Sequence, residues 1–305
     1  MMIRKTLPPL NVVGQTIATF RQATTSYLRG SCIRRMSTGT HNRLLANFCL
    51  IGKPGSGKGT YGSLLSNSLK YHFVVMGDVL RHHVEMKTSY GIEIAECQRE
   101  GRLVNDELVS DALISHLEAL LKNRRDNDCG RDLDCEGAAF AQNLSNSSES
   151  NESKLGFILD GFPRTLQQAQ ATTLWPEPFR ISFALNIDVP DSICCDKMLG
   201  RRKCKKCGES FNVSDVNTTD GFVMPPKLPY PFPCNRCDMD NDWEKRIDDT
   251  EDIMARRIAE FYEKSAPVSN FFQEREELVN FVPYNGVEDF GKMELLVKNK
   301  IKFNL

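Results

Sequence analysis

Residues 52–60, GKPGSGKGT, place four glycines and two lysines directly behind the apolar run 44–51. A strand that ends in a glycine-rich turn and opens into a helix aims several backbone N–H groups at one point, where the helix dipole also favours negative charge. Such a point binds phosphate. Lys58 adds a mobile positive charge for the outer phosphates of a nucleoside triphosphate, and the glycines remove side chains that would hold the backbone away from them. Gly59 stands where a Ser or Thr is usual in this pattern, and Thr60 follows one place later.

A second constellation is made of cysteines. Cys204 and Cys207, then Cys234 and Cys237, form two C-x-x-C knuckles, the first followed by Gly208. Four thiolates at this spacing suit one tetrahedral, closed, structural zinc; paired disulfides are the competing reading. Zinc would also explain how residues 200–245, rich in Cys, Pro and charge, stay folded with little apolar content of their own. The adjacent Cys194 and Cys195 show no ligand spacing. The five histidines, His41, His72, His82, His83 and His116, form no catalytic or metal pattern and are expected to be structural.

These groups need a scaffold, and the chain predicts one. Short apolar runs at 71–75, 156–159, 179–187 and 278–282 follow the first run at 44–51, each flanked by helix-compatible segments. That alternation implies an α/β fold with a mostly parallel sheet covered on both faces. Residues 123–154, containing NRRDNDCGRD and NLSNSSESNES, lack periodicity and are expected to be a disordered insertion.

At 305 residues and 40% hydrophobic content the chain can bury one large core with small appended domains, and no run approaches a membrane span. The net charge of -1 conceals an asymmetry. Residues 1–50 hold seven Lys or Arg and no acid, which leaves 32 basic against 40 acidic residues in the remainder. That balance argues against general nucleic-acid affinity. The acid-free stretch contains Arg4, Arg21, Arg29, Arg34, Arg35 and Arg43 among many Ser and Thr, so residues 1–40 are expected to be a removable transit peptide, for the mitochondrion (its matrix) or, as the alternative, a plastid.

Six motifs occur in order: GKPGSGKGT at 52–60, GDVLR at 77–81, GRLVNDELV at 101–109, LDGFPRT at 159–165, GRR at 200–202 and RIDD at 246–249. The set resembles the adenylate kinases, in the long form whose lid carries a pair of zinc knuckles, over residues 44 to about 303 apart from the insertion. The resemblance implies a P-loop α/β three-layer fold in a kinase domain at 41–305, with a monophosphate-binding segment at 75–104 and a zinc lid at 199–245. It implies Mg²⁺-dependent reversible transfer from ATP to AMP, giving two ADP, by a monomer that acts on no nucleic acid and no membrane. GTP:AMP transfer and pyrimidine monophosphate phosphorylation are the alternatives within the class, and a non-catalytic nucleotide-binding zinc protein is the alternative outside it.

Such transfer joins two polyanions that repel, so cations must converge from several segments and water must be excluded. On the family pattern the catalytic set is Lys58, Asp160, Arg164, Arg201, Arg246 and Arg257. Arg81 and Arg164 resemble the pair on the monophosphate's α-phosphate; Arg201, Arg246 and Arg257 resemble the clamp on the transferring group. Asp160 resembles the acid that holds Mg²⁺ through water. The donor site is expected at Gly55, Ser56, Gly57, Lys58, Gly59, Thr60, Lys197, Arg201, Ser210, Phe211, Gly286 and Glu288. The acceptor site is expected at Met76, Arg81, Arg102, Leu103, Val104, Gly161, Phe162, Pro163, Arg164, Gln168, Arg246 and Arg257, with the Gln168 amide reading the base edge. Two residues depart from the family: Met76 replaces a usual threonine, and Lys197 replaces an arginine that stacks on the donor base. Both departures bear on base selectivity rather than on phosphate chemistry.

Overall fold

The structure is a computed structural model that describes residues 46–100, 104–128, 156–176, 178–206, 208, 210–228, 243–245 and 249–304. The chain divides into two units, Met1–Arg43 and Leu44–Leu305. The expected transit peptide lies outside the described residues.

Five strands form one parallel sheet: β1 (Asn47–Ile51), β2 (His72–Val75), β3 (Phe157–Asp160), β4 (Ile181–Ile187) and, last in the chain, β10 (Leu278–Phe281). Their spatial order is β10-β4-β1-β3-β2. All five residues of β1 are buried, as a strand sandwiched between helical layers must be. Each expected apolar run therefore becomes a strand, with ends displaced by a few residues. Phe48 stacks on Phe183 at 4.8 Å between ring centres, and Ile158, Leu185 and Ile187 complete the centre of the core. Asn47 is also buried, and its amide is satisfied: Nδ2 donates to the carbonyls of Pro178 and Arg180, and Oδ1 accepts from the N–H of Phe157. One polar side chain thus ties the starts of β3 and β4 to β1.

The helices follow the loops that matter. Helix α1 (Lys58–Leu69) leaves the glycine-rich turn. Next come α2 (Met76–Glu85), α3 (Ser89–Arg99) and α4 (Asp106–Asp128), then α5 (Leu166–Thr172) after β3 and α6 (Asp191–Leu199) after β4. The α2–α3–α4 corner packs Ile94, Leu108 and Ala112 together. His83 fastens it, with Nδ1 2.9 Å from Thr88 Oγ1 and Nε2 2.9 Å from the Ala112 carbonyl, a structural role as expected. Helix α4 continues to Asp128, six residues into the segment read as a disordered insertion. Propagating an established helix costs little per residue, and KNRR carries good helix formers, so the loss of apolar periodicity at 123 does not end it. Residues 129–155 lie outside the described residues.

Between α6 and the last helices lies a small β region. Strands β5 (Arg201–Cys204), β6 (Ser210–Asn212) and β9 (Trp243–Glu244) form a three-stranded sheet, and β7 (Val216–Asn217) pairs with β8 (Val223–Met224) as a hairpin. The hairpin is built into the main core: Val216, Phe222 and Met224 join the cluster that contains Ile187 and Phe281. Helix α7 (Glu251–Glu260) runs through a π-turn (Phe261–Ser265) into α8 (Ala266–Glu274). After β10, a 3₁₀ turn (Gly286–Asp289) leads to α9 (Phe290–Phe303).

Candidate active site

The turn between β1 and α1 is shaped by what its glycines allow. Gly55 has φ +91°, and a Cβ there would lie 2.3 Å from the Cys194 carbonyl oxygen, so helix α6 presses against bare backbone. Gly57, at φ +93°, delivers the chain into α1 with no side-chain cap, which leaves the helix's first N–H groups directed at the turn. Ser56 Oγ is buried inside the loop without a hydrogen-bond partner among the described residues. Lys58 curls back and donates to the carbonyls of Gly52 at 2.5 Å and Lys53 at 2.9 Å. Burial pulls its ammonium down to about 8, while Asp160 pushes the other way.

Asp160 ends β3 beside Leu50 of β1 and Val75 of β2, at the carboxyl edge where parallel sheets carry their ligand crevices. Burial raises its pKa, while Lys58, Arg164 and Arg201 each pull it down and Asp78 pushes it up. Three cations from α1, from the turn after β3 and from β5 thus act on one carboxylate. A second carboxylate in the same field suits this edge to a hard cation held through water.

On the other side of Asp160 the chain folds into the FPRT turn. Gly161 has φ +82°, and a Cβ on it would meet Arg164 Nη2 at 3.1 Å and Met76 Cβ at 3.5 Å. Arg164, Gly161 and buried Met76 therefore share one corner. Phe162 anchors the turn by stacking on Trp175 at 5.4 Å, and the Phe162–Pro163 bond is cis. The backbone of Arg164 is held at both ends: its N–H donates to Gln168 Oε1 at 2.7 Å, and its carbonyl accepts from Ser265 Oγ at 3.1 Å. Arg81 is exposed and ion-paired with Asp78. Val104 is half-buried against the α3–α4 contact. Arg102 and Leu103 lie outside the described residues.

Gln168 is 5% exposed, and its amide is engaged on both atoms. Nε2 donates to Asp106 Oδ1 at 2.7 Å, opposite the Oε1 bond to Arg164. Asp106 Oδ2 also accepts from Thr165 Oγ1 at 2.7 Å, and that hydroxyl oxygen caps α5 by accepting from the N–H of Gln168. Sequence reasoning missed Asp106, because an acid opening a helix reads as a dipole partner.

On the donor side and around the transferring group the expected residues fall into two groups. Arg201 pairs with buried Asp249 at 3.6 Å, and Arg257 is half-buried in the last turn of α7. Gly59 is exposed and Thr60 half-buried at the start of α1. The second group points elsewhere. Lys197 donates to the carbonyls of Met224 at 3.0 Å and Ser214 at 3.4 Å, which fastens the β7–β8 hairpin. Gly286, at φ +57°, lies under Met224, whose Cγ would be 3.3 Å from a Cβ there, and Glu288 is exposed. Phe211 is buried edge-on to Trp243 at 4.9 Å, and Ser210 beside it is exposed. Arg246 lies outside the described residues.

Of the four thiols expected to hold zinc, Cys204 is buried at the end of β5, and Cys207, Cys234 and Cys237 lie outside the described residues. No group of three or more metal-binding side chains is placed together among the described residues. A further contact also went unread in the sequence: Lys53 pairs with Asp191 at 2.6 Å, and Tyr262 of the π-turn donates to the same carboxylate at 2.8 Å.

The sequence profile of a family described as an AAA domain matches residues 51–128, from the end of β1 through α4. The chain is similar to the GTP:AMP phosphotransferase of Plasmodium falciparum, with 30% identity over 82% of this chain and 95% of the relative. It is equally similar to "Adenylate kinase 1, chloroplastic" of Arabidopsis thaliana, at 30% over 86% of this chain and 80% of the relative. An adenylate kinase of Clostridium kluyveri is 32% identical over 74% of this chain and 85% of the relative. With relatives of this name at 30% identity or more over three-quarters or more of its length, the chain belongs to the adenylate kinase family.

Proposed function

We propose that this chain transfers the γ-phosphoryl group of ATP reversibly to AMP, forming two ADP. The observation that carries this reading is the convergence of Lys58, Arg164 and Arg201 on Asp160 at the carboxyl edge of the sheet. Lys58 and the loop N–H groups would hold the donor's phosphates. Arg164, with its backbone fixed at both ends, would hold the acceptor's α-phosphate by a two-pronged contact. Arg201, Arg246 and Arg257 would neutralise the charge that spreads over the transferring group. No covalent intermediate is needed; alignment and charge supply the rate. Asp160, with Asp78 nearby, would hold Mg²⁺ through water, and the ion supplies charge neutralisation on the phosphate oxygens. Segment 75–104 and, within 199–245, the part outside the core-bound hairpin are those whose closure would exclude water.

GTP as donor is the second reading. The relative named GTP:AMP phosphotransferase supports it. One structural zinc on Cys204, Cys207, Cys234 and Cys237 fits the knuckle spacing and the small β sheet that Cys204 ends. The basic, acid-free N-terminus supports import into an organelle, and the chloroplastic names of plant relatives favour the plastid alternative over the mitochondrion.

Residues 40–305 tested with a panel of nucleoside mono- and triphosphates decide the reading. Diphosphate formed from AMP with ATP or GTP is expected, and Arg164→Ala should raise KM for AMP far more than KM for the donor. Diphosphate from no pair would sink the proposal and leave a nucleotide-binding zinc protein.

A further inference from the structure

Asp106 and Gln168 are 62 residues apart in the chain, yet they form a bond that dictates which way the Gln168 amide faces. A carboxylate can only accept, so the atom of Gln168 that meets Asp106 must be the NH₂ group. A backbone N–H can only donate, so the atom that meets Arg164 must be the carbonyl oxygen. The two contacts, each 2.7 Å, agree on one orientation and exclude its flip. Either contact alone favours this orientation with one hydrogen bond, and the two together make a flip cost both. Thr165 adds a third tie, since its hydroxyl gives its proton to Asp106 and accepts from the N–H of Gln168. Each group of the network has a partner of the required polarity, which makes it a rigid rather than a frustrated cluster.

We infer that Asp106 is a specificity-positioning residue: by holding Gln168 in one amide orientation it fixes the pattern of donor and acceptor shown to the acceptor base. This rests on the reading that Gln168 faces that base. With both contacts made, one amide hydrogen and one carbonyl lone pair of Gln168 remain to meet a base edge. Adenine and guanine present opposite polarities on the six-position edge, an amino donor in one and a carbonyl acceptor in the other. An amide held by both bonds tells them apart, and one held by the Arg164 N–H alone flips at lower cost to match either. The same bond links base recognition to phosphate recognition, because the oxygen of this amide holds the N–H of Arg164.

The test compares kcat/KM for AMP and GMP in the wild type, Asp106→Ala and Gln168→Ala. Asp106→Ala should reduce the AMP:GMP ratio by about three- to tenfold, the range set by one neutral hydrogen bond, with KM for the triphosphate unchanged. Equal losses with AMP and GMP in Asp106→Ala, alongside a relaxed ratio in Gln168→Ala, would overturn the inference and leave the base reading intact. An unchanged ratio in Gln168→Ala would overturn both. A swapped pair guards against a variant that fails to fold. Gln168→Glu alone sets two carboxylates face to face, and adding Asp106→Asn restores a donor–acceptor match. The double variant should recover most of the thermal stability that the single one loses; no recovery would show that the two side chains do not act on each other.

Discussion

Lys58 donates its ammonium to the carbonyl oxygen of Gly52 at 2.5 Å, so the cation that would serve the donor's phosphates is held by the loop it belongs to. Burial keeps its pKa near 8, below the ordinary lysine value, and Asp160 only partly offsets this. The amine therefore loses its proton as pH rises through about 8, and kcat/KM for the triphosphate should fall over the same range. Stability runs the other way. A folded-state pKa below the unfolded one gives a contribution that is present in full above the unfolded value and lost as pH falls through the folded value. Lys58→Met should lower turnover by roughly 10²-fold, judged from typical losses of a charge-stabilising donor, and should remove the alkaline limb. Rate profiles from neutrality to about pH 10 on both proteins check this; a limb that survives in Lys58→Met belongs to another group.

The same loop is tethered from outside. Lys53 Nζ lies 2.6 Å from Asp191 and above the Tyr262 ring, and Tyr262 donates to Asp191 as well. Burial draws the Lys53 pKa down, but the bonds to Asp191 and Tyr262 outweigh it and the net shift is upward. The Lys53 bond is the main cause of the depressed Asp191 pKa. Because the Lys53 carbonyl accepts from both Lys58 and the N–H of Ser56, a loose Lys53 displaces the phosphate cradle. Asp191→Asn is expected to raise KM for the triphosphate by about three- to tenfold, equivalent to one weakened charged hydrogen bond, with KM for AMP unmoved. Equal increases in both constants would mean a general loosening instead.

Much of the framework is legible in the sequence because its signals are local. Each of the five strands falls on a short, mostly apolar run, and the phosphate loop is fixed by Gly55 and Gly57, whose φ values exclude most side chains. Asp160 at a strand's carboxyl end is legible for the same reason. What escapes is lateral. The Asp106–Gln168 bond, the Ser265–Arg164 bond and the grip of Lys197 on the hairpin join segments whose approach no periodicity encodes. Helix α4 outruns the loss of apolar periodicity at 123 because hydrophobic period marks where a helix is buried, not where it stops.

Zinc is expected to stabilise the lid rather than to act on substrate. Cys204 pairs in register with Trp243, whose ring meets Phe211, so the metal would pin a sheet that buries few apolar side chains. In such a segment the metal-binding free energy becomes folding free energy. Cys204→Ser should lose the metal and lower the melting temperature, and a chelator should do the same to the wild type and nothing further to the variant. Metal analysis with calorimetry checks this. Native protein without zinc and with these thiols oxidised in pairs would point to disulfides.

Lys197 is expected from the resemblance to replace a base-stacking arginine, but its amine is used to hold the Met224 and Ser214 carbonyls, and burial lowers its pKa. The hairpin it fastens is also bound by the Val223 N–H on the Tyr284 carbonyl at 2.7 Å and by Phe222 against the Tyr284 ring. Removing the ammonium takes one donor from each of two carbonyls, at a cost of about 1–3 kcal/mol. Lys197→Met should therefore lower thermal stability by that order. It should change the ratio of kcat/KM for ATP and GTP by less than about twofold, because the ammonium's bonds run to the hairpin and not to a base. The comparison needs both donors with AMP fixed, together with a melting curve. A large shift in the ATP:GTP ratio at unchanged stability would place the Lys197 side chain against the donor base and make the hairpin contact incidental.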